Sequence, residues 1–463
     1  MAAITSAGLG SGLDVASLVS QLVAAERAAP DTRIAKAQSK AQTTLSAVGG
    51  FRSALAGFQD AAKALRDGAA TKLAATSANT TLLTATATTT AAAGSYSVEV
   101  VQLAKAHKLA SAPYGSSSAT VGSGKLSISV GGKAFEVTVS ADDPSLGAIR
   151  DAINNASDNK GVRASLLNTA AGVRLTLSSN ATGEDGAITV TATDLSDQPI
   201  VPTGTGLDAL SFNSGNSQLD EIDPAQNAKI TIDSYDFESS TNVFADAVQG
   251  VSFAATKAEP GTQFNVAVAV DITAATNAAQ NFVTRYNVLN ATIATYSRYD
   301  ATTQTGGPLL GDSTVRSLAQ QARSVMASSV GSGSVQNLSQ IGITGSTDGS
   351  FKLDADKFAT VLAADPASIT NLFGADGYGG KIFTIAEDYL KSDGRIKTKQ
   401  DNLNAQLKDI TKQQDALDNR MSRVESRYRA QFTALDTIIS QLRTTSNYLT
   451  QQLANLPGYT NNS

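Results

Sequence analysis

Residues 403–456 read LNAQLKDITKQQDALDNRMSRVESRYRAQFTALDTIISQLRTTSNYLTQQLANL. Stepping alternately by four and three from Leu403 gives sixteen positions, and twelve of them are apolar: Leu403, Leu407, Ile410, Leu417, Met421, Val424, Tyr428, Leu435, Ile438, Leu442, Leu449 and Leu456. The other four are Gln414, Gln431, Thr445 and Gln452. A 3.5-residue apolar repeat held this long is the signature of a coiled-coil seam. A straight helix over this stretch would be about 80 Å long at 1.5 Å per residue. Its apolar stripe needs a partner, because a solvated seam gains nothing from burial.

The nearest candidate partner is the other end of the chain. Ile34, Ala41, Leu45, Val48, Phe51, Leu55, Phe58, Ala62 and Leu65 recur at helical spacing. Upstream, Leu13, Leu18 and Leu22 with Val15, Val19 and Val23 form a short, strongly apolar helix, capped by Asp14 or Ser17. Pro30 is expected to split these two parts, and Gly49-Gly50 to mark a bend or break. The outermost portions, 1–30 and roughly 430–463, have less reach for packing within one chain and are expected to order only in an assembly.

Between the helical ends the pattern changes to β. Thr84–Thr90 alternates Thr with Ala, and Tyr96, Val98 and Val100 share one face of a strand over 95–103. Leu126, Ile128 and Val130 alternate up to Gly131-Gly132, and Phe135, Val137 and Val139 alternate after it, which predicts a hairpin. A short helix with Leu146, Ile149 and Ile153 on one side follows, then strands over 162–167 and 173–177. The stretch 198–219, rich in Pro, Gly, Ser and Asn, reads as a loop. Further strands fall at 229–232, 251–255 and 264–270. Helical spacing returns through Phe282, Tyr286, Leu289, Ile293 and Tyr296, again over 312–330, and in short pieces between Leu353 and Phe373.

These runs predict an α+β multidomain chain, with terminal coiled-coil helices, a helical leg domain and β-rich head domains inserted between them. The expected boundaries are 1–40 with 410–463 for the coiled coil and 41–75 with 272–409 for the leg. A first β-rich head spans 76–110 with 220–271, and a second spans 111–219.

Composition narrows the function classes. The 463 residues contain no Cys and one His, which removes thiolate chemistry, disulfides and Cys/His zinc sites. Residues 111–274 hold 8 Lys/Arg against 19 Asp/Glu, a net of −11 in a chain of net −5, so the flanks carry about +6. Nucleic-acid binding needs a basic face, and the middle of the chain is the opposite, so no nucleic-acid partner is expected. No run reaches the roughly 18 apolar residues of a membrane span. Met1–Asp14 lacks the charged and apolar regions of a Sec-type signal peptide.

Catalytic groupings are equally sparse. A Ser-His-Asp arrangement could use only His107, within Leu103-Ala-Lys-Ala-His-Lys-Leu109, which reads as a surface or packing residue. Gly8-Leu-Gly-Ser-Gly12 lacks the Lys-Ser/Thr of a phosphate loop. Asp142/Asp143, Glu184/Asp185 and the cluster Asp220, Glu221 and Asp223 sit in turn-like contexts and read as solvated. Asp354 and Asp356 near Asp348-Gly349 lack calcium-loop spacing. No enzyme activity, metal or cofactor is expected.

Several stretches together resemble one family. Ile4-Thr-Ser-Ala-Gly-Leu-Gly-Ser-Gly-Leu-Asp-Val15 with Ser17-Leu-Val-Ser-Gln-Leu22 is similar to the opening of the flagellar hook-associated protein 2 family, the filament caps also called FliD. Val100-Val-Gln-Leu-Ala104 resembles the strand closing that family's N-terminal region, and residues 124–190, with Ile153-Asn154, resemble the IN motif of flagellins and hook-associated proteins. Phe282-Val-x-x-Tyr286-Asn287, Gly307-Pro-Leu-Leu-Gly-Asp312, Ile341-Gly-Ile343, Asp348-Gly349, Leu353-Asp354 and Gln431-Phe-x-x-Leu435 follow in the family's order.

The resemblance implies a secreted structural protein at the flagellar filament tip, exported by the flagellar type III apparatus. It implies a homo-oligomeric ring, most often described as a pentamer, whose helical legs engage the tip while flagellin folds beneath it. Implied partners are flagellin, the hook–filament junction protein and an export chaperone. By the same resemblance, Leu13, Leu18, Leu22, Leu403, Leu407, Ile410, Leu417, Met421, Val424 and Tyr428 are candidate oligomer or filament contacts. Leu435, Ile438, Leu442, Leu449 and Leu456 are candidates for the chaperone site. Two other readings stay open on the residues alone: a sibling axial protein (flagellin or the junction protein), and an adhesin role of the acidic head toward host mucin.

Overall fold

The computed structural model describes residues 14–330 and 333–454. The chain forms two compact units, Met1–Ala70 with Thr276–Ser463, and Thr71–Ala275. Helix α1 (Val15–Arg66) leads into the β-rich unit through β1 (Leu73–Ser77), β2 (Leu83–Ala87), β3 (Gly94–Gln102) and β4 (Ala106–Ala110). Next come β5 (Gly124–Val130), β6 (Lys133–Val139), α2 (Leu146–Asn155), β7 (Val162–Thr169), β8 (Gly172–Thr182) and β9 (Ile188–Thr193). Short strands β10 (Phe212–Asn213), β11 (Asn216–Ser217) and β12 (Asp220–Asp223) precede β13 (Ala228–Ile232), β14 (Tyr235–Ser239), β15 (Val243–Val248), β16 (Val251–Ala255) and β17 (Gln263–Val270). The helical unit resumes with α3 (Ile272–Ser297), α4 (Ser313–Ala327), α5 (Ala355–Ala364), α6 (Pro366–Phe373), α7 (Tyr378–Leu390) and α8 (Arg395–Ala454).

The β-rich unit holds two cores. Sheets β11-β10-β9-β5-β6 and β12-β4-β8-β7 share one with α2, in which Leu126, Ile128, Phe135, Ile149, Ile153, Leu175 and Val190 are buried. Sheets β1-β17-β3-β13-β14 and β15-β16-β2 share the other, around Leu83, Val98, Val100, Ile230, Phe253 and Val266. Strand, strand, helix, strand, strand over 124–182 matches the alternation in the sequence, and Gly131 and Gly132 both take the positive φ of a two-residue hairpin turn. The expected head boundaries at 110/111 and 219/220 shift, because β4 and β12 pair with each other and β4 pairs with β8. The sheet of the inserted segment therefore runs from Ala106 to Asp223.

The expected loop 198–219 is also more ordered than its composition implies. Asp208, 2% exposed, accepts from the Thr203 and Gly204 N–H groups, the Ser211 hydroxyl and the Asn216 amide. That satisfied carboxylate lets Leu207 and Leu210 sink into the core.

In the helical unit, Phe58 of α1 packs on Phe282 and Tyr286 of α3 at centroid separations of 5.1 and 5.5 Å, and Phe282 meets Phe373 of α6 at 5.9 Å. Helix α1 runs unbroken through both Pro30 and Gly49-Gly50. Gly50 serves close approach: a Cβ there would stand 2.7 Å from the Tyr296 hydroxyl. Pro30 stays inside α1 despite a local cost of about 3 kcal/mol.

Candidate functional site

Helices α1 and α8 form an antiparallel pair. Asp31 faces Gln414 (3.4 Å), Arg27 faces Asp418 (2.5 Å), and Glu26 faces Arg420 (3.6 Å) and the Tyr428 hydroxyl (3.3 Å), so rising numbers on α1 meet falling numbers on α8. The root of α8 is tied to α4. Lys399 pairs with Asp312, the N-cap that accepts from the Thr314 and Val315 N–H groups. Burial works to raise the Asp312 pKa, but the Lys399 ammonium and the two N–H donors outweigh it and hold the carboxyl below its usual range.

Along the pair, Ile410, Leu417, Met421 and Val424 are buried against Ile34 and Ala41, with Val23, Ala37, Leu407 and Tyr428 half-buried around them. Leu403 is half-buried. On α1, Val15 and Val19 are buried while Leu18 is half-buried and Leu22 is 42% exposed. Leu13 and Leu456 lie outside the described residues. Val15 and Val19, one turn apart, share a buried face.

Beyond Tyr428 the same seam is mostly exposed among the described residues. Leu435 is 44% exposed, Ile438 53%, Leu442 63% and Leu449 54%. Tyr448 and Leu453 widen this apolar strip, at 59% and 68%. Helix α8 therefore keeps its coiled-coil pattern for more than twenty residues past the last buried position, Val424. Contiguous exposed apolar surface of this kind marks an interaction site.

The remaining candidate residues have structural partners. His107 is buried, not on the surface. Its Nδ1 accepts the Ile188 N–H at 2.8 Å, so a neutral ring carries its proton on Nε2, which meets Glu221 at 3.0 Å. Of the carboxylates read as solvated, Asp142, Asp143, Glu184 and Asp185 are exposed, and the cluster on β12 has cationic or imidazole partners: Asp220 with Arg174, Glu221 with His107 and Asp223 with Lys108. Asp354 caps α5 and Asp348 holds a turn through Ser350. Among the described residues, no three His, Cys, Asp or Glu side chains gather as a metal site, and no helix is long and apolar enough to cross a membrane.

Ile153 and Asn154 have a clear structural task. Ile153 is fully buried, and the Asn154 amide both donates to the Ala164 carbonyl (2.8 Å) and accepts its N–H (2.9 Å). Strand β7 is an edge, so this side chain satisfies groups that a neighbouring strand would otherwise take.

A family model for the C-terminus of flagellar hook-associated protein 2 matches residues 225–444, and the model for its N-terminus matches residues 11–107. Flagellar hook-associated protein 2 of Escherichia coli (strain K12) is 35% identical over 473 aligned positions, covering 98% of this chain and 99% of its own. The chain belongs to the flagellar hook-associated protein 2 family. The B-type flagellar hook-associated protein 2 of Pseudomonas aeruginosa is 31% identical and covers 98% of each chain. The flagellin hook IN motif is confined to residues 125–181, so the part shared with flagellins is the inserted segment, and the flanks are those of hook-associated protein 2. Among solved structures, domains D1-D2-D3 of the flagellar cap protein FliD from Escherichia coli superpose with a TM-score of 0.63 at 30% identity. That match covers 77% of this chain and 99% of the other.

Proposed function

We propose that this chain is the structural cap at the distal end of the bacterial flagellar filament, where it promotes folding and polymerisation of flagellin. Similarity to hook-associated protein 2 of Escherichia coli along 98% of the chain carries the reading. The unpartnered seam past Tyr428 supports it, since a cap must hold the filament tip through contacts that form outside its own fold. Such contacts must be numerous and individually weak if the cap is to shift as each subunit is added. Half-exposed leucines on a long helix have that character, each worth about 1 kcal/mol on further burial.

Within this function, the protein is a homo-oligomeric ring, a pentamer by family resemblance, with flagellin and the hook–filament junction protein as neighbours. Of the candidate oligomer and filament contacts, Leu18, Leu22, Leu403, Leu407 and Tyr428 keep exposed surface for that role, whereas Ile410, Leu417, Met421 and Val424 are used up in the pairing of α1 with α8. Leu435, Ile438, Leu442 and Leu449 serve the export chaperone before assembly.

Deleting the gene is the decisive experiment. Cells lacking a cap release unpolymerised flagellin into the medium and carry no filaments, and the intact gene restores them. Normal filaments in the deletion strain would refute the proposal. Negative-stain images of purified protein would count the ring's subunits.

A further inference from the structure

We propose that the α1–α8 pair contains a hinge at the level of Pro30 and Gln414, about which the terminal arm (15–29 of α1 with 418–454 of α8) swings as an intact helical pair. Four observations meet at this level. Pro30 has no N–H, so the Glu26 carbonyl loses its helical donor just where proline rings open helices. Opposite it, the seam position is Gln414, whose amide makes one long hydrogen bond, 3.4 Å, to Asp31. The apolar packing is thin here: no residue of α1 between Val19 and Ile34 is fully buried, and none of α8 between Ile410 and Leu417.

What holds the level together is ionic. Arg27 bridges Asp31 at 2.6 Å and Asp418 at 2.5 Å, and Glu26 meets Arg420 at 3.6 Å. Each side chain is about a third exposed or more, and exposed pairs of this kind are individually weak and screened by salt. Leu417 is the one buried seam residue of α8 within the level, with Ile34, Ala41 and Ile410 above it and Met421 and Val424 below, so firmer apolar contacts flank a mainly polar layer. Two stiff segments joined by a thinly packed layer bend at that layer. Arg27 and Gln414 also give that layer one register, because each has its partner on the opposite helix only in this alignment.

The chain has no cysteine, so paired spin labels can be placed without background. Ser20→Cys and Arg52→Cys are both exposed positions on α1, one on each side of the hinge, and lie about 48 Å apart along a straight axis. Pulsed dipolar measurements on the full-length monomer should give a broad distance distribution that broadens further between 0.05 and 0.5 M salt, roughly as the Debye length shortens. With Pro30→Ala and Gln414→Leu added, it should be about twofold narrower and insensitive to salt. Gln414→Leu alone should remove most of the salt response while leaving the width that Pro30 causes. Coincident distributions for the parent and the double variant at every salt concentration would overturn the hinge. The experiment needs no filament, so it succeeds or fails independently of the capping role.

Discussion

Replacing Leu435, Ile438, Leu442 and Leu449 together with Ser separates the seam's role in assembly from its role in folding. These side chains are 44–63% exposed in the monomer. Full burial of such a residue is worth about 1.5–3 kcal/mol, so roughly half of that remains to be gained on docking, about 3–6 kcal/mol over the four. At 1.4 kcal/mol per decade, the quadruple variant should bind the export chaperone or the filament tip about 10²- to 10⁴-fold more weakly. Its monomer should lose little stability, because exposed substitutions away from caps and cores stay within about 0.5 kcal/mol each and Ser costs helix propensity only modestly. Denaturant midpoints would measure the stability of the purified protein. Titration calorimetry with the chaperone and motility of complemented cells would measure the loss of binding. Unchanged chaperone affinity and motility, or a monomer destabilised by more than about 3 kcal/mol, would refute the claim that this seam waits for a partner.

Three further outcomes follow from side-chain geometry. Asn154→Ala strips both partners from the Ala164 backbone at a sheet edge, so the denaturant midpoint should fall by the equivalent of about 1–3 kcal/mol, whereas Asn154→Asp should retain the N–H bond and lose only the donor. Asp365 caps α6 and is held at a pKa of about 2 by the Ser334 and Ser368 hydroxyls and the Ser368 N–H, below its ordinary 3.8. Its folded value is depressed, so its contribution is complete above about pH 4 and disappears as pH falls through 2. An Asp365→Asn variant should unfold with a shallower acid dependence across that window, as followed by circular dichroism. Ser234 sits at φ +71 beside Asp233 at +49 in the β13–β14 turn, a geometry that favours glycine. Ser234→Gly should therefore raise the melting temperature, by the equivalent of about 0.5–1 kcal/mol.

Much of this architecture was legible from periodicity. The 3.5-residue repeat over 403–456 and the helical spacing through Ile34–Leu65 identified two long helices, and a seam without other cover required that they meet. Period-two runs about Gly131-Gly132 marked a hairpin because only that register puts Leu126, Ile128, Phe135 and Val137 on one face. The order of family-like segments, from Ile4-Thr-Ser to Gln431-Phe, carried the identity as well. Local signals misled where long-range packing prevailed. Pro30 and Gly49-Gly50 read as breaks, yet α1 stays helical through both, and helix α7 carried no spacing strong enough to notice.

Which residues line a partnered seam and which do not was beyond any one-dimensional pattern. Met421 and Leu442 occupy equivalent repeat positions, and the repeat by itself treats them alike. One is 3% exposed and the other 63%, because α1 begins at Val15 and α8 continues beyond the reach of that helix. Likewise, His107, Ile188 and Glu221 are scattered along the chain and meet only through sheet pairing. Periodicity records which face of an element is apolar. Burial depends on the length and alignment of whatever lies opposite, and only the folded chain supplies those.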